Sequence, residues 1–184
     1  QQRLEQITDN VPGVVYQGTV DPEGGFVFNF VSKGVEKLLG FSPKVAIERP
    51  KRLFAGILAE DRRRMWDVIR KAREDKVSWS MEFRFKRPDG QLRWIQAKSS
   101  PQNRESDQII WNGVWVDVTE RKMAEESIRI RLGYENGLAA FARELLEDRQ
   151  DAVERSLYHL LEASGVSRVA VFENFMDQDG NLLS

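Results

Sequence analysis

The chain has 184 residues, with 28 Lys and Arg against 29 Asp and Glu, so its net charge is −1. Hydrophobic residues make up 41% and charged residues 31%, which is ordinary for a globular protein that buries a core. The balanced charge gives no sign of a nucleic-acid or membrane-surface partner, and no apolar run approaches the length of a membrane span. Because the chain starts without Met, we expect it to be part of a longer protein, whose other segments stay open.

The cysteine and histidine contents restrict the chemistry further. The chain has no cysteine, which excludes disulfides, thiolate metal sites and cysteinyl flavin or bilin adducts. Its one histidine, His159, cannot build a metal site or a nucleophile–base pair alone. Ser156 lies nearby in sequence, but no strand–turn nucleophile elbow surrounds it. We therefore expect no catalytic residue and no metal site.

The first third of the chain predicts a helix end, a β-hairpin and a short helix. Residues 1–9 have amphipathic helical spacing. Residues 13–20 and 26–31 are rich in Val, Tyr and Phe, and the DPEGG between them is typical of a turn. Ser32 is predicted to cap a helix over 34–39.

The next segment is predicted to be irregular before a longer helix begins. Residues 42–60 show no clear period beyond one helical turn near 43–47. Asp61 is a good N-cap for a helix over 62–75. The apolar face of that helix consists of Met65, Ile69 and Ala72.

Three predicted strands follow, over 79–87, 92–100 and 109–118. The first alternates strictly between apolar and polar residues, and Pro-Asp-Gly marks the turn after it. In the last strand, valines occupy one face while Trp111 and Trp115 occupy the other. Both faces of the sheet therefore need cover, one from the helices and the other from a flanking helix or a partner chain.

The last strand runs into a predicted helix over 120–147 without Gly or Pro between them. A second helix is predicted over 151–163, a strand over 167–175 and a turn over 177–181. The turn resembles the start of a calcium loop, but a hairpin turn is the simpler interpretation. Two glycines interrupt the apolar seam of the first helix, which consists of Ala124, Ile128, Leu132, Leu138, Phe141, Ala142 and Leu145.

Five stretches together resemble a known family. They are ITDNVPGVVYQ (7–17), GVEKLLGFSP (34–43), AEDRRRMW (59–66), FRFKRPDGQLRWIQ (83–96) and GVWVDVTERK (113–122). In this order they resemble a PAS domain with its C-terminal PAC motif, over about residues 1–126. The resemblance implies an α+β fold, in which a five-stranded antiparallel sheet of order 2-1-5-4-3 carries helices on one face.

The C-terminal part resembles a second family. Residues 138–184, which begin LAAFARELLEDRQDAVERSLYHLL, are similar to the first helices and first strand of a GAF domain. The two resemblances imply a PAS/PAC sensory domain over 1–119, a connecting signalling helix over 120–137 and an N-terminal, partial GAF-like α/β segment over 138–184.

The PAS resemblance also implies where functional residues lie. A pocket is expected between the sheet and the helices of 34–75, and its candidate lining consists of Leu38, Phe54, Met65, Trp66, Ile69 and Phe83. Asp117 and Thr119 stand where such domains join the last strand to the exit helix, and Trp115 precedes them. We expect these three residues to transmit a signal, while a plain helix cap is the simpler alternative for Asp117 and Thr119.

No cofactor is evident. Photosensory flavin relatives need a pocket cysteine, and haem relatives usually need an axial histidine on the helix of 62–75, which has none. Met65 is a weak substitute for that histidine. A non-covalently bound small molecule or flavin remains an alternative, because the five tryptophans could stack on a ring. These tryptophans are more simply explained as core and interface residues.

The resemblance implies that the chain is the sensory and dimerisation region of a multidomain bacterial-type signal-transduction protein. The first expectation for the whole protein is a sensor histidine kinase. The alternatives are a diguanylate cyclase or phosphodiesterase sensor, or a ligand-free PAS scaffold for assembly. We expect no enzyme activity in this segment and a cytoplasmic location. A homodimer is expected through the flanking helices and the outer sheet face. We expect no contact of this segment with nucleic acid or membrane, and we expect the output domain to lie downstream.

Overall fold

The computed structural model describes residues 12–20, 25–102, 109–146, 157–159, 161, 175–176 and 182–183. The chain divides into two compact units, Gln1–Lys122 and Met123–Ser184, and each is described by itself. The predicted helix over 1–9 and turn over 177–181 lie outside the described residues. So do most of the predicted helix over 151–163 and of the strand over 167–175.

The first unit is built on one antiparallel sheet of five strands. The strand order is β2-β1-β5-β4-β3, which is the order that the sequence resemblance implied, and the α+β class is confirmed. The strands are β1 (Val14–Val20), β2 (Phe26–Val31), β3 (Trp79–Lys86), β4 (Leu92–Gln102) and β5 (Ile110–Asp117).

Among the described residues, four helices follow β2, and another begins directly after β5. They are α1 (Gly34–Leu39), α2 (Pro43–Glu48), α3 (Pro50–Ala55), α4 (Ala59–Asp75) and α5 (Thr119–Leu146). The helical turn predicted near 43–47 is α2, but the prediction that the rest of 42–60 is irregular was wrong, because α3 and the start of α4 lie there. Pro43 and Pro50 each stand in a first helical turn, where the fixed φ of proline suits the helix. Ser42 also caps α2 by accepting a hydrogen bond from Val45 N at 3.3 Å.

Two residues that were predicted to cap helices bind other partners instead. Ser32 does not cap α1; its hydroxyl accepts a hydrogen bond from Val15 N at 2.9 Å and so holds the β1–β2 hairpin together. Asp61 does not cap α4, because that helix already begins at Ala59. Its carboxylate instead reaches the β3 residue Arg84.

The inner face of the sheet packs against the helices and forms the core. Trp111 and Trp115 point inward and are 1% and 3% exposed. Tyr16 lies across Gly113 on the neighbouring strand, where an added Cβ would stand 2.3 Å from the tyrosine ring. Any side chain at Gly113 would therefore displace Tyr16 from the core.

The outer face of the sheet is only partly buried. The valines of β5 lie on this side, with Val15 and Phe30 beside Val114. The lining of a hollow of about 500 Å³ includes Val15, Phe30, Val114 and the polar side chains Gln17, Lys98 and Asn112.

The second unit contains the continuation of α5 and a short hairpin. Strands β6 (Phe175–Met176) and β7 (Leu182–Leu183) pair antiparallel, with Phe175 opposite Leu183. Within the described part of the chain, no helix is both long and apolar enough to cross a membrane.

Candidate functional site at the strand–helix junction

The last strand passes into the exit helix through a single residue. β5 ends at Asp117 and α5 begins at Thr119, so only Val118 lies between them. Val118 N donates to Trp94 O at 2.9 Å, which continues the pairing with β4. Val118 O accepts from Lys122 N at 2.9 Å, which is the first turn of the helix. One residue, Val118, therefore belongs to both hydrogen-bond patterns, and no linker residues separate the sheet from the helix.

The side chains of Asp117 and Thr119 reinforce this junction. Asp117 Oδ1 accepts hydrogen bonds from Thr119 N at 2.9 Å and from the Thr119 hydroxyl at 2.6 Å. The same hydroxyl accepts from Trp94 N at 2.9 Å. Asp117 thus satisfies a free amide at the helix start, while Thr119 ties that start to the backbone of β4.

A pair of arginines connects the junction to the end of α1. Arg93 Nη1 donates to Asp117 Oδ2 at 3.2 Å and to Lys37 O at 3.3 Å. Arg87 Nη1 donates to Lys37 O at 2.6 Å and to Leu38 O at 3.1 Å. Cations at the carbonyl end of a helix are favourable, so these contacts hold α1 and the junction in one hydrogen-bonded group.

The first turn of α5 is also held by the outer face of the sheet. Lys122 Nζ lies 2.6 Å from Glu82 Oε2, and Arg121 pairs with the other oxygen of the same carboxylate. The hydrogen bond from Lys122 is the main reason that the pKa of Glu82 is lowered. Lys122 and Arg84 both lie near the ring of Trp94, at 5.3 and 5.7 Å from its centre, so two cations share one aromatic ring.

Arg84 extends this group to the start of α4. Its backbone N, Nε and Nη2 donate to the Asp61 carboxylate at 2.8, 2.9 and 3.1 Å, and Arg64 adds a contact at 2.6 Å. The Asp61 side chain is 1% exposed. Burial raises its pKa, but the hydrogen bonds from Arg84 and Arg64 outweigh burial and lower the pKa to about 2. Polar contacts thus run without a break from α4 through β3 and β4 to α5.

The core behind the junction is nearly filled. A cavity of about 10 Å³ remains between sheet and helices, which is at the lower limit for one water molecule. Of the candidate pocket residues, three line this cavity and three do not. Leu38 and Phe83 are buried elsewhere in the core, and Trp66 packs against Phe54 with 5.1 Å between ring centres. The lining consists of Tyr16, Phe26, Phe28, Phe54, Met65, Ile69, Trp79 and Trp115.

Trp115 lies inside the core, two residues before the helix cap. Its ring centre stands 5.6 Å from Phe83 and 5.7 Å from Tyr16. Burial raises the pKa of Tyr16 to about 12, although Ser99 and Trp115 partly offset that effect. The Trp115 indole N–H is near the tyrosine, but among the described residues it makes no hydrogen bond of normal distance and angle.

Sequence reasoning did not find Glu82, Arg84, Arg93 or Lys122. Their partners lie up to 56 residues away in sequence, and pairing depends on strand register, which a single sequence does not fix. The available signal was the alternation of β3, which puts Glu82 and Arg84 on its polar face. No group of the described residues has the composition of a metal site.

Comparisons with known proteins agree with this architecture. Residues 28–115 match a family described as PAS fold. No curated protein matches the chain in sequence. A domain assigned to a light- and redox-sensing histidine kinase from Haloarcula marismortui is similar in structure, with 23% identity and a TM-score of 0.50. The match covers 65% of this chain and 100% of that one.

Two further solved structures are similar. The N-terminal domain of a diguanylate cyclase with a PAS/PAC sensor from Marinobacter aquaeolei has 16% identity and a TM-score of 0.50, and the match covers 59% of this chain and 98% of that one. An RNA-binding light-oxygen-voltage receptor has 20% identity and a TM-score of 0.58, with 73% and 38% covered. At these identities the likeness establishes the fold and nothing finer.

Proposed function

We propose that the PAS-fold unit of this chain is a sensor domain, which passes changes in its core through the Asp117–Thr119 junction to α5 and on to an output domain outside the sequence. The observation that supports the proposal is the single residue Val118, whose N–H pairs with Trp94 of β4 and whose carbonyl accepts the first hydrogen bond of the helix. A change that moves β5 must therefore move the first turn of α5.

The core contacts favour Trp115 as the input of this path. Trp115 touches Tyr16, Phe54 and Phe83 through its ring and stands two residues before the cap. Cores are close-packed, so a shift of those neighbours displaces Trp115 and its strand. The polar contacts from Asp61 to Lys122 give the same helix start a second connection, to α4.

The test changes the packing of the core and measures hydrogen exchange at the start of α5. In the intact chain, Phe83→Leu is expected to change hydrogen exchange in the first turn of α5, on the order of threefold or more, because it loosens the packing of Trp115. Inserting two glycines between Val118 and Thr119 should abolish that response. Val77→Ala, at a residue 45% exposed after α4, is the control and should leave exchange unchanged. An identical response with and without the insertion contradicts the relay.

For the output domain, we propose a histidine kinase first and a diguanylate cyclase as the alternative. The support is limited to fold-level likeness to domains described as parts of such proteins. Incubating the full-length protein separately with labelled ATP and labelled GTP distinguishes the two. Labelled protein points to the kinase, a cyclic dinucleotide points to the cyclase, and neither product excludes both.

A ligand-free scaffold is the second candidate function, and the small core cavity favours it. A cavity of about 10 Å³ admits no metabolite as it stands. A scaffold keeps its fold and its partners without any response to small molecules. Screening of the intact chain for small molecules that raise its melting temperature tests this function, and a specific stabiliser excludes it.

We also propose the finer domain assignment. In this assignment residues 1–119 form a PAS/PAC sensory domain, 120–137 a connecting signalling helix, and 138–184 the start of a GAF domain. The support is the sequence resemblance, together with the β6–β7 pairing. Expression of the parent protein to the end of the next sheet, followed by limited proteolysis, tests the assignment. A protected fragment that begins near residue 138 is expected, and cleavage throughout that region contradicts it.

A further inference from the structure

A surface groove lies between β2, α3 and α4, and none of the residues of the strand–helix junction lines it. Its volume is about 440 Å³, which is enough to take up a large side chain. Phe26 and Phe54 are the buried part of its lining, and Trp66 is half-buried at its side. The groove therefore offers an aromatic surface to an apolar side chain.

The wall of the groove that α3 forms is fixed to the sheet. The chain that leaves α3 pairs with β3, where Lys86 N donates to Gly56 O at 2.8 Å. Ile57 forms a β-bridge with Phe85 in the same place. Because this wall is already held in position, a partner that binds here does not have to order it first.

Arg62 is oriented by the carbonyl end of α3. Its Nη1 lies 3.4–3.5 Å from the carbonyl oxygens of Phe54, Ala55 and Ile57. Within the described part of the chain, its Nε and Nη2 donate to no acceptor. These two nitrogens form one edge of the guanidinium, and such an edge matches the two oxygens of a carboxylate.

The groove has a positive charge that the neighbouring helices do not neutralise. Lys51 is exposed, forms no ion pair among the described residues, and lines the groove with Arg62. The described lining contains no acidic residue. Acidic side chains of α2 and α4 pair with other cations, as Glu48–Lys44, Glu60–Arg84 and Asp67–Arg70. The groove is therefore cationic in a chain whose net charge is −1, and it complements an anionic partner.

Among anionic partners, the groove favours a protein segment over a nucleic acid. Nucleic acids are held by a stripe of many cations that follows the phosphates, whereas the described lining has Lys51 and Arg62 alone. Arg62 and Trp66 stand beside an apolar surface, and Arg and Trp are enriched at the centres of protein interfaces.

We propose that this groove docks an acidic segment of a partner protein, in which glutamates flank one large apolar side chain. The apolar side chain lies against Phe26, Phe54 and Trp66. The carboxylates on either side of it pair with Lys51 and with Nε and Nη2 of Arg62. This interaction surface goes beyond the proposed function, because docking at the groove needs no change in the core and no movement of α5.

The probe is the peptide acetyl-GSEEFEESG-amide, titrated into the intact chain. Two matched peptides each lack one half of the complement: acetyl-GSQQFQQSG-amide has no charge, and acetyl-GSEEGEESG-amide has no apolar side chain. We expect the probe to bind at least about tenfold more tightly than either one, because it combines charge pairing with burial of a phenyl ring. Equal affinity for the probe and either matched peptide overturns the proposal.

An oligothymidylate of eight nucleotides tests the nucleic-acid alternative. It should bind more weakly than the probe, and tighter binding overturns the proposal in favour of nucleic acid. In ¹H–¹⁵N spectra, the probe should shift the indole signal of Trp66 and leave those of Trp111 and Trp115, which are buried in the core. Shifts of the two core indoles without Trp66 show binding elsewhere and also overturn it.

Two pairs of variants locate the contact. Lys51→Glu should weaken probe binding about tenfold or more, whereas Lys71→Glu, on α4 outside the groove, should not. Ala55→Glu places a carboxylate beside Arg62 that competes with the probe, and Ala59→Glu makes the same change outside the lining. All four positions are exposed, so the melting temperatures should stay close to that of the unchanged protein. Unchanged binding in either groove variant, or an equal loss in its control, overturns the proposal.

Discussion

Thr119 is the residue on which the junction geometry depends most directly. Its hydroxyl accepts from Trp94 N and donates to Asp117 Oδ1. Thr119→Val keeps the shape of the side chain but removes both hydrogen bonds, so we expect a loss of about 1–2 kcal/mol in the free energy of unfolding. Amide exchange of Trp94 should also accelerate, because its N–H loses its acceptor.

Thr19→Val, on the outer part of β1, is the matched control for this prediction. It makes the same chemical change away from the junction and should lower stability by less than about 0.5 kcal/mol. Denaturant unfolding of both variants supplies the comparison. Equal stabilities for Thr119→Val and the unchanged protein would show that the junction does not need the hydroxyl.

The free energy of unfolding is expected to depend on pH because of Asp61. Its folded pKa of about 2 lies below the unfolded value of 3.8, so the folded state favours the charged carboxylate. That contribution is complete above about pH 4 and is lost as pH falls from about 4 to 2; a shift of this size corresponds to about 2 kcal/mol. Asp61→Asn should therefore destabilise the protein at pH 7 and flatten the fall in stability over this interval.

The control for Asp61 is Asp67→Asn on the same helix. Asp67 pairs with Arg70, but its side chain is 62% exposed, so its pair contributes little. Urea unfolding at pH 7, 4 and 2.5 compares the two variants. An unchanged pH profile in Asp61→Asn contradicts the assigned cause.

At the scale of elements, the first turn of α5 is fastened to β3 through Glu82. The carboxylate and Lys122 are about a quarter exposed, at 26% and 27%, so their pairing is less screened than an open surface pair. A double-mutant cycle with Glu82→Gln and Lys122→Met should give a coupling of about 1 kcal/mol that weakens with salt. The cycle for Arg131 and Glu135, an exposed pair on the same helix, should give less than half of that.

The elements show what the sequence could and could not predict. The strand β3 was predicted because apolar and polar residues alternate strictly along it, and that alternation depends only on local geometry. α3 was missed, and α2 was predicted only as one helical turn, because each is six residues long, too short for a helical period to show. Capping residues Ser32 and Asp61 were misassigned because sheet partners distant in sequence bind them instead.

The candidate site shows a similar division at the scale of the whole molecule. Asp117 and Thr119 were predicted from the resemblance, in which these positions join the last strand to the exit helix, and both stand within two residues of the helix start. The core cavity was not predictable in size, since packing depends on how Tyr16, Phe54 and Trp115 fit together in three dimensions. Trp115 was considered as an interface residue, but it lies in the core, and the valines of β5 occupy the outer face.

Self-association is the property of the whole chain that the exposed face of α5 predicts. Ile128 and Leu132 are 59% and 53% exposed, and with Ala124 they form the predicted seam. Ile130 is 63% exposed but lies two residues from Ile128, on the opposite side of the helix. If two chains pair through the seam, Ile128→Asp buries a charge at the interface and should shift the dimer to monomer at micromolar concentration. Ile130→Asp adds the same charge outside the seam and should leave the mass measured by light scattering unchanged, so a monomer in both variants, or in neither, contradicts pairing through this seam.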